Sequence, residues 1–364
     1  LVIDMSEKIK PIAIHLPQFH PIPENDAWWG KGFTEWTNVT KTTPRFEGHY
    51  QPHLPADLGF YDLRLEEARL AQEALAKAYG IHGFCYYHYW FNGKKMLFEP
   101  LDRKLKNPKE DLPFMMCWAN EDWTRAWEAS ENKVLLKQDY SEADDLNHIK
   151  HLITYFKDSR YIKINGKPVF IVYRPKLFLD IKKTIEIWKK EVKKEGFPDL
   201  YIGYAQNPEY ELPPQSIGFD FAFGFQPNFA RLPKPLGSNS IKKIKRRILN
   251  KMGYASSQKS SIYDYEAYTK IQMEEPFKEH VYPGVTPMWD NSARKDKAFI
   301  LNNSSPKKYY NWLKHIKDNY PWGKVPENFV FINAWNEWAE GNHLEPCQKW
   351  GTEYLKVTKE AFEK

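Results

Sequence analysis

The chain has 364 residues, 42% hydrophobic and 27% charged, which argues against a disordered chain, and no run of about 18 apolar residues offers a transmembrane helix. Lys and Arg exceed Asp and Glu by 53 to 47, and the net +6 is too mild to imply a nucleic-acid partner. The three Cys (Cys85, Cys117, Cys347) lie far apart with no CxxC, which speaks against a disulfide framework or a zinc finger.

Residues 1–10 show no signal-peptide core and read as a tag or flexible segment. A cytoplasmic location is expected, or a secreted or periplasmic one if a leader ended before Leu1. The first apolar run is Pro11–His20, a strand. Pro21–Asp62 shows no convincing regular element but contains WWGKGFTEW, too rich in rings for a disordered loop. Leu63–Tyr79 consists of strong helix formers and stops at Gly80. Gly80–Phe91 and Pro113–Trp123 are the second and third strands. Ser141–Asp158 opens with an N-cap and an acidic first turn, so it is a helix. Pro168–Arg174 is the fourth strand, Leu179–Glu195 an amphipathic helix, and Leu200–Asn207 and Phe219–Pro227 the fifth and sixth strands. Residues 230–258 form a basic insertion. Its 241–251 part reads as an amphipathic cap on the barrel or as a contact for an anionic surface. Val281–Asp290, interrupted by Pro283 and Gly284, is the seventh strand. Helix Pro306–Asn319, strand Phe329–Glu337 and helix Thr352–Lys364 complete the chain. Apolar runs alternating with helices predict one (β/α)8 barrel over residues 1–364, with a doubly wound open sheet as the alternative.

A barrel places its chemistry at the C-terminal ends of its strands. Those ends carry His15 and Gln18; Tyr87, His88, Tyr89 and Trp90; Trp118, Asn120, Glu121 and Trp123; Tyr173; Gln206; Gln226; Trp289 and Asp290; and Asn336, Glu337, Trp338 and Glu340. Trp36 lies in the first long loop. Of the 14 Trp, ten fall at such ends or in the loops after them, a bias that core filling does not require. Rings stack on the C–H faces of sugars while amides and acids hold hydroxyls, so a carbohydrate is the expected partner. Glycoside cleavage needs two carboxyl groups, one to protonate the leaving oxygen. Glu337 and Glu340 in WNEWAEG are the best pair, because a helical turn puts positions three apart on one side. Glu35, Glu121 and Asp122 are held in reserve, each able instead to orient Arg125 or another cation. Dinucleotide, P-loop and GxSxG signatures are missing, no HExxH spacing occurs, and neither cofactor nor metal is expected.

Three runs, LPQFHPIPENDAWWGKGFTEWTNV, GHYQPHLPADLGFYDLR and YGIHGFCYYHYWFNGK, resemble the WbsX-like family of bacterial surface-polysaccharide clusters, whose members are labelled glycosyltransferases. NEWAEGNHLEP is similar to the active-site segment of glycoside hydrolase family 99, the endo-α-mannosidases. That resemblance implies a (β/α)8 barrel that retains configuration. Glu337 would act as base on the sugar 2-hydroxyl, Glu340 would act as general acid and then base, and Glu345 would match a third motif Glu without an assigned role. HLPQFHP departs from the Tyr-rich first strand of those hydrolases, so mannose is not implied. The leading expectation is a retaining endo-type glycoside hydrolase acting on a polysaccharide. The alternatives are a glycosyltransferase or transglycosidase of O-antigen or capsule synthesis and a non-catalytic carbohydrate-binding protein.

Overall fold

The computed structural model describes residues 8–124, 134–207, 210–237 and 260–363. Eight staves form its central sheet: β1 (Lys10–His15), β2 (Gly83–Phe91), β3 (Phe114–Trp118), β4 (Lys167–Val172), β5 (Tyr201–Gln206), β6 (Phe221–Gly224), β7 and β8 (Phe329–Ile332). β7 consists of two short pieces, Val281–Tyr282 and Gly284–Val285, with Pro283 between them. The first piece pairs with β6 and the second with β8, and every pairing between staves is parallel. Nine parallel segments thus make a nearly closed barrel, and the open-sheet alternative falls away.

The break in β7 follows from its sequence. Proline has no N–H for the ladder, although the Pro283 carbonyl still accepts from Phe331 N at 3.0 Å. Gly284 has no room for a side chain, because the Gly224 carbonyl stands where its Cβ would be. Helices Glu66–Ala78, Glu142–Phe156, Ile181–Lys194, Pro306–Asn319 and Glu353–Glu363 lie where the sequence patterns place them. Ser141, Asp180 and Ser305 cap three of these helices with side-chain oxygens. Glu99–Lys106 and Tyr265–Glu274 are further helices that the pattern did not isolate.

The first long loop needs correcting. It contains two seven-residue helices, Pro23–Trp29 and Glu35–Lys41. Two turns are too short for a hydrophobic period to register, but Thr34 and Thr37 close a reciprocal capping box at the start of the second. The expected seventh and eighth strands also end early. Trp289–Asp290 pairs instead with Phe299–Asn302, which pairs with Ser261–Asp264, while Asn336–Glu337 pairs back on Asn342–His343.

β2 is buried along its whole length, and its alternation sorts its side chains. Tyr86, His88 and Trp90 face the helix layer, where His88 meets His148 and Trp90 meets Asp144. Tyr87 and Tyr89 face the barrel interior, where Tyr87 lies edge-on to Tyr173 at 6.0 Å. Phe223 and Phe331 stack at 4.3 Å inside the barrel and help fill it.

Candidate active site

Beyond β8 the chain forms a 3-10 turn, Trp338–Glu340, and leaves it through Gly341 at φ +53°. Asn336 fixes the entry to this turn. Its Oδ1 accepts from Leu16 N at 2.7 Å, and its Nδ2 donates to Leu16 O at 3.0 Å and to the Tyr61 hydroxyl at 3.2 Å. Gly341 fixes the exit, since a Cβ there would lie 2.9 Å from the Asp290 carbonyl oxygen. Between these two points Glu337 and Glu340 turn toward one guanidinium. Arg294, just past the short turn Asn291–Ala293, donates from Nη2 to Glu337 Oε2 at 3.0 Å and from Nη1 to Glu340 Oε1 at 2.9 Å. It also holds Glu35, the first residue of helix Glu35–Lys41, through Nη2 at 2.9 Å and Nε at 3.2 Å.

The electrostatics follow from burial. The Glu337 side chain is 7% exposed and that of Glu340 20%, so Glu340 has the better access to solvent. Desolvation pushes the Glu337 carboxyl up to about 8; Arg294 opposes this, and Glu340 and Glu35 add to it. Burial likewise raises Glu35 against the pull of Arg294. Tyr87 and Tyr89 are held neutral by burial and lie within electrostatic range of Glu337. Rings collect beside this cluster: the half-buried Trp123 meets Tyr89 at 5.3 Å, Phe91 at 5.6 Å and Trp28 at 5.8 Å. Tyr173 carries the Arg174 guanidinium over its ring at 4.0 Å, and Arg174 in turn donates to Glu121 at 2.9 Å.

Several residues expected at the cleft lie elsewhere. His15 points to the helix layer, with its Nε2 3.2 Å from Gln72 Oε1, and burial lowers it to about 3. His88, Trp90 and Trp118 share the outward side of their strands and pack with His148. Gln206 and Gln226 also turn outward, Gln226 accepting from Tyr268 on helix Tyr265–Glu274. The physical reason is strand parity, because a one-residue step reverses the face. Trp36 is packed among Phe19, Tyr61 and Trp338, and its indole donates to the Tyr61 carbonyl at 2.9 Å. Trp338 lies flat on His343 at 3.8 Å and donates to Glu345 at 2.7 Å. Glu345 itself is buried, also accepts from Tyr61 and Gln72, and is raised to about 7 by desolvation; it braces the turn from behind. Asn120 pins Arg174 by its backbone, as Asn336 pins Leu16.

Gln18 is buried after β1, and its carbonyl accepts from Glu35 N at 3.3 Å. Trp289 and Asp290 line a cavity of about 70 Å³ behind Gly341, where His49 Nε2 and Gln51 Nε2 each reach Asp290 at 2.7 Å. Asp122 accepts from Gln138 N at 2.7 Å. The basic 241–251 segment, Arg125 and Trp127 lie outside the described residues.

The sequence pattern missed the residue that joins the carboxyls. Arg294 sits in SARKDK, where it reads as one solvated cation among several; its signal was its place four residues past Asp290. Tyr89, beside Trp90 at the end of the second strand, faces inward with Tyr87.

The family model described as Glycosyltransferase WbsX matches residues 11–358. An uncharacterized protein WxcX of Xanthomonas campestris pv. campestris (strain B100) is 40% identical over 358 residues, 96% of this chain and 49% of that protein. The chain thus spans about half the length of the curated relatives it matches. Among solved structures, a glycoside hydrolase-like protein superposes with a TM-score of 0.59 at 15% identity, covering 100% of this chain and 96% of that one. The family 99 endo-α-mannosidase of Bacteroides thetaiotaomicron gives 0.56 at 15% identity, covering 97% and 96%. These likenesses are to the fold. No helix among the described residues is long and apolar enough to cross a membrane.

Proposed function

The chain belongs to the WbsX glycosyltransferase family, and from that membership we propose that it is a glycoside-processing enzyme that cleaves a bond within a bacterial polysaccharide, using Glu337 and Glu340 as its acid and base. One observation carries the proposal: two carboxyl groups from a single turn at the C-terminal mouth of the barrel are bound to opposite nitrogens of one buried guanidinium. Acid–base cleavage of a glycoside requires two neighbouring carboxyls, one of them able to hold a proton, and desolvation raises Glu337. The half-buried rings of Trp28 and Trp123 suit the apolar face of a sugar.

Two grounds assign the acid differently. Resemblance to the family 99 hydrolases makes Glu340 the acid and Glu337 the base on a 2-hydroxyl, with retention. Desolvation, which raises the Glu337 carboxyl to about 8, favours Glu337 as the acid instead. Leaving groups separate the two assignments. The acid variant, Glu340→Gln or Glu337→Gln, keeps turnover of an activated aryl glycoside and loses that of the polysaccharide, whereas the base variant loses both.

The test of the class is release of new reducing ends from a panel of bacterial and α-mannan polysaccharides by wild type beside the two Gln variants. Release by wild type alone supports hydrolysis, and undiminished release by both variants would overturn the carboxyl assignment. The family description favours a second reading, in which the same pair transfers the glycosyl group to an acceptor sugar. Chain elongation with labelled acceptor, in place of shortening, identifies it.

A further inference from the structure

Cleavage by the proposed pair needs two carboxyl groups, yet three meet Arg294. The third, Glu35, comes from the loop after β1, far from the others in sequence, and its side chain is fully buried. Its Oε2 takes two N–H groups of Arg294, from Nη2 at 2.9 Å and Nε at 3.2 Å, while its Oε1 is buried with no hydrogen-bond partner. A buried carboxyl with an unused acceptor is costly and persists where it does something other than stabilise the fold. Its placement indicates what it does. Nη2 is shared between Glu35 and Glu337, whereas Nη1 serves Glu340.

We propose that Glu35 and Arg294 are positioning residues that divide one positive charge unequally between Glu337 and Glu340, and so fix which of the two holds the proton. The proposal rests on the reading of that pair as the reacting groups. Glu35 orients the guanidinium and draws on the nitrogen that faces Glu337. Glu337 is left less neutralised than Glu340, which is also the more open to water. The groups facing Glu337 are Arg294, Glu35 from its helix, Glu340 from the same turn, and Tyr87 and Tyr89 from β2. The two tyrosines are neutral and add no charge. Glu340 faces Arg294, and Tyr173 stands within electrostatic range of it. Burial, Glu340 and Glu35 all push the proton toward Glu337, with Arg294 opposing.

The experiment is a carbon-13 titration of the glutamate carboxyls in wild type, Glu35→Gln, Glu35→Asp and Arg294→Lys, with the Glu337 signal identified by its loss in Glu337→Gln. Turnover against pH is recorded beside it. In Glu35→Gln the guanidinium is no longer shared with a third charge, so Glu337 is expected to titrate lower by roughly one pH unit. The kinetic limb that reports it should shift equally, kcat should fall and KM should change little. Glu35→Asp keeps the charge and should restore the wild-type titration. In Arg294→Lys a single nitrogen replaces the fork that reaches Glu337 and Glu340 from separate nitrogens, and Glu337 should titrate higher. An unmoved Glu337 titration in folded Glu35→Gln, or in Arg294→Lys if Glu35→Gln does not fold, overturns the charge division whatever the turnover shows. A titration that moves in a protein whose turnover survives Glu337→Gln overturns the reading of the pair and leaves the charge division standing.

Discussion

Gly341 shows how much of the site hangs on one backbone angle. At φ +53°, with the Asp290 carbonyl 2.9 Å from where a Cβ would sit, the position demands a residue without a side chain. Gly341→Ala should destabilise the protein by about 1–3 kcal/mol. Because the turn that shifts carries Glu340, turnover should fall more than stability alone explains. Thermal melts and kcat measured on the remaining folded fraction would show this, and unchanged kcat would mean that the turn does not set the carboxyl geometry. The same turn explains why one motif residue was legible and another was not. Glu337 and Glu340 could be paired from their spacing alone. Glu345, in the same short segment, looks equivalent on paper, but the return strand Asn342–His343 carries it behind the turn to Tyr61, Gln72 and Trp338.

Strand β2 makes the corresponding point for whole elements. Its position, length and covered faces were readable from GFCYYHYWF, but its two faces were not, because both are aromatic and no polar alternation tells inside from outside. The structure separates Trp90, which donates to Asp144 at 2.9 Å in the helix layer, from Tyr89 beside Glu337 and Trp123. Their substitutions should therefore part. Trp90→Phe loses a buried hydrogen bond and should cost about 1–2 kcal/mol of stability with kcat/KM near wild type. Tyr89→Phe should leave the melting temperature nearly unchanged and lower kcat/KM by roughly tenfold, the equivalent of one hydrogen bond of about 1.4 kcal/mol. If both variants lost stability and neither lost activity, the assignment of the inward face would be wrong. The loop helix Glu35–Lys41 was illegible for a different reason. Its role lies in an ion pair with a residue about 260 positions away, and no local pattern encodes that.

Over the whole molecule, burial sets a stability profile with two opposed arms. His15 is held down to about 3, and His53 and His151 to about 4, from an ordinary 6.5. The unfolded chain therefore binds more protons than the native state as pH drops below about 6.5, and stability falls toward acid. Glu337 and Glu345 are raised to about 8 and about 7 from an ordinary 4.5, so there the native state binds more protons, and stability falls as pH rises from about 4.5 to 8. Between 4.5 and 6.5 the arms offset each other, and above 6.5 only the carboxyl arm acts. The melting temperature should thus decline from pH 6.5 to 8.5, and Glu337→Gln and Glu345→Gln should each flatten that decline; an equally steep decline in both would contradict the assignment. The barrel was the most legible feature in the sequence, because eight apolar runs alternating with helices leave few other architectures. Its seventh stave was legible only as an irregularity, and that irregularity reaches further than shape. The stave interrupted by Pro283 pairs with each neighbour over only two residues, fewer than any other stave, and the segment that follows it carries Arg294. Amide exchange at Phe331 and Asn333, whose N–H groups bond Pro283 and Val285 across that short pairing, should be the fastest among the barrel staves and should slow when a ligand clamps the guanidinium cluster. The bonds that close the cylinder and the charges that run its chemistry would then open and shut as one cooperative unit.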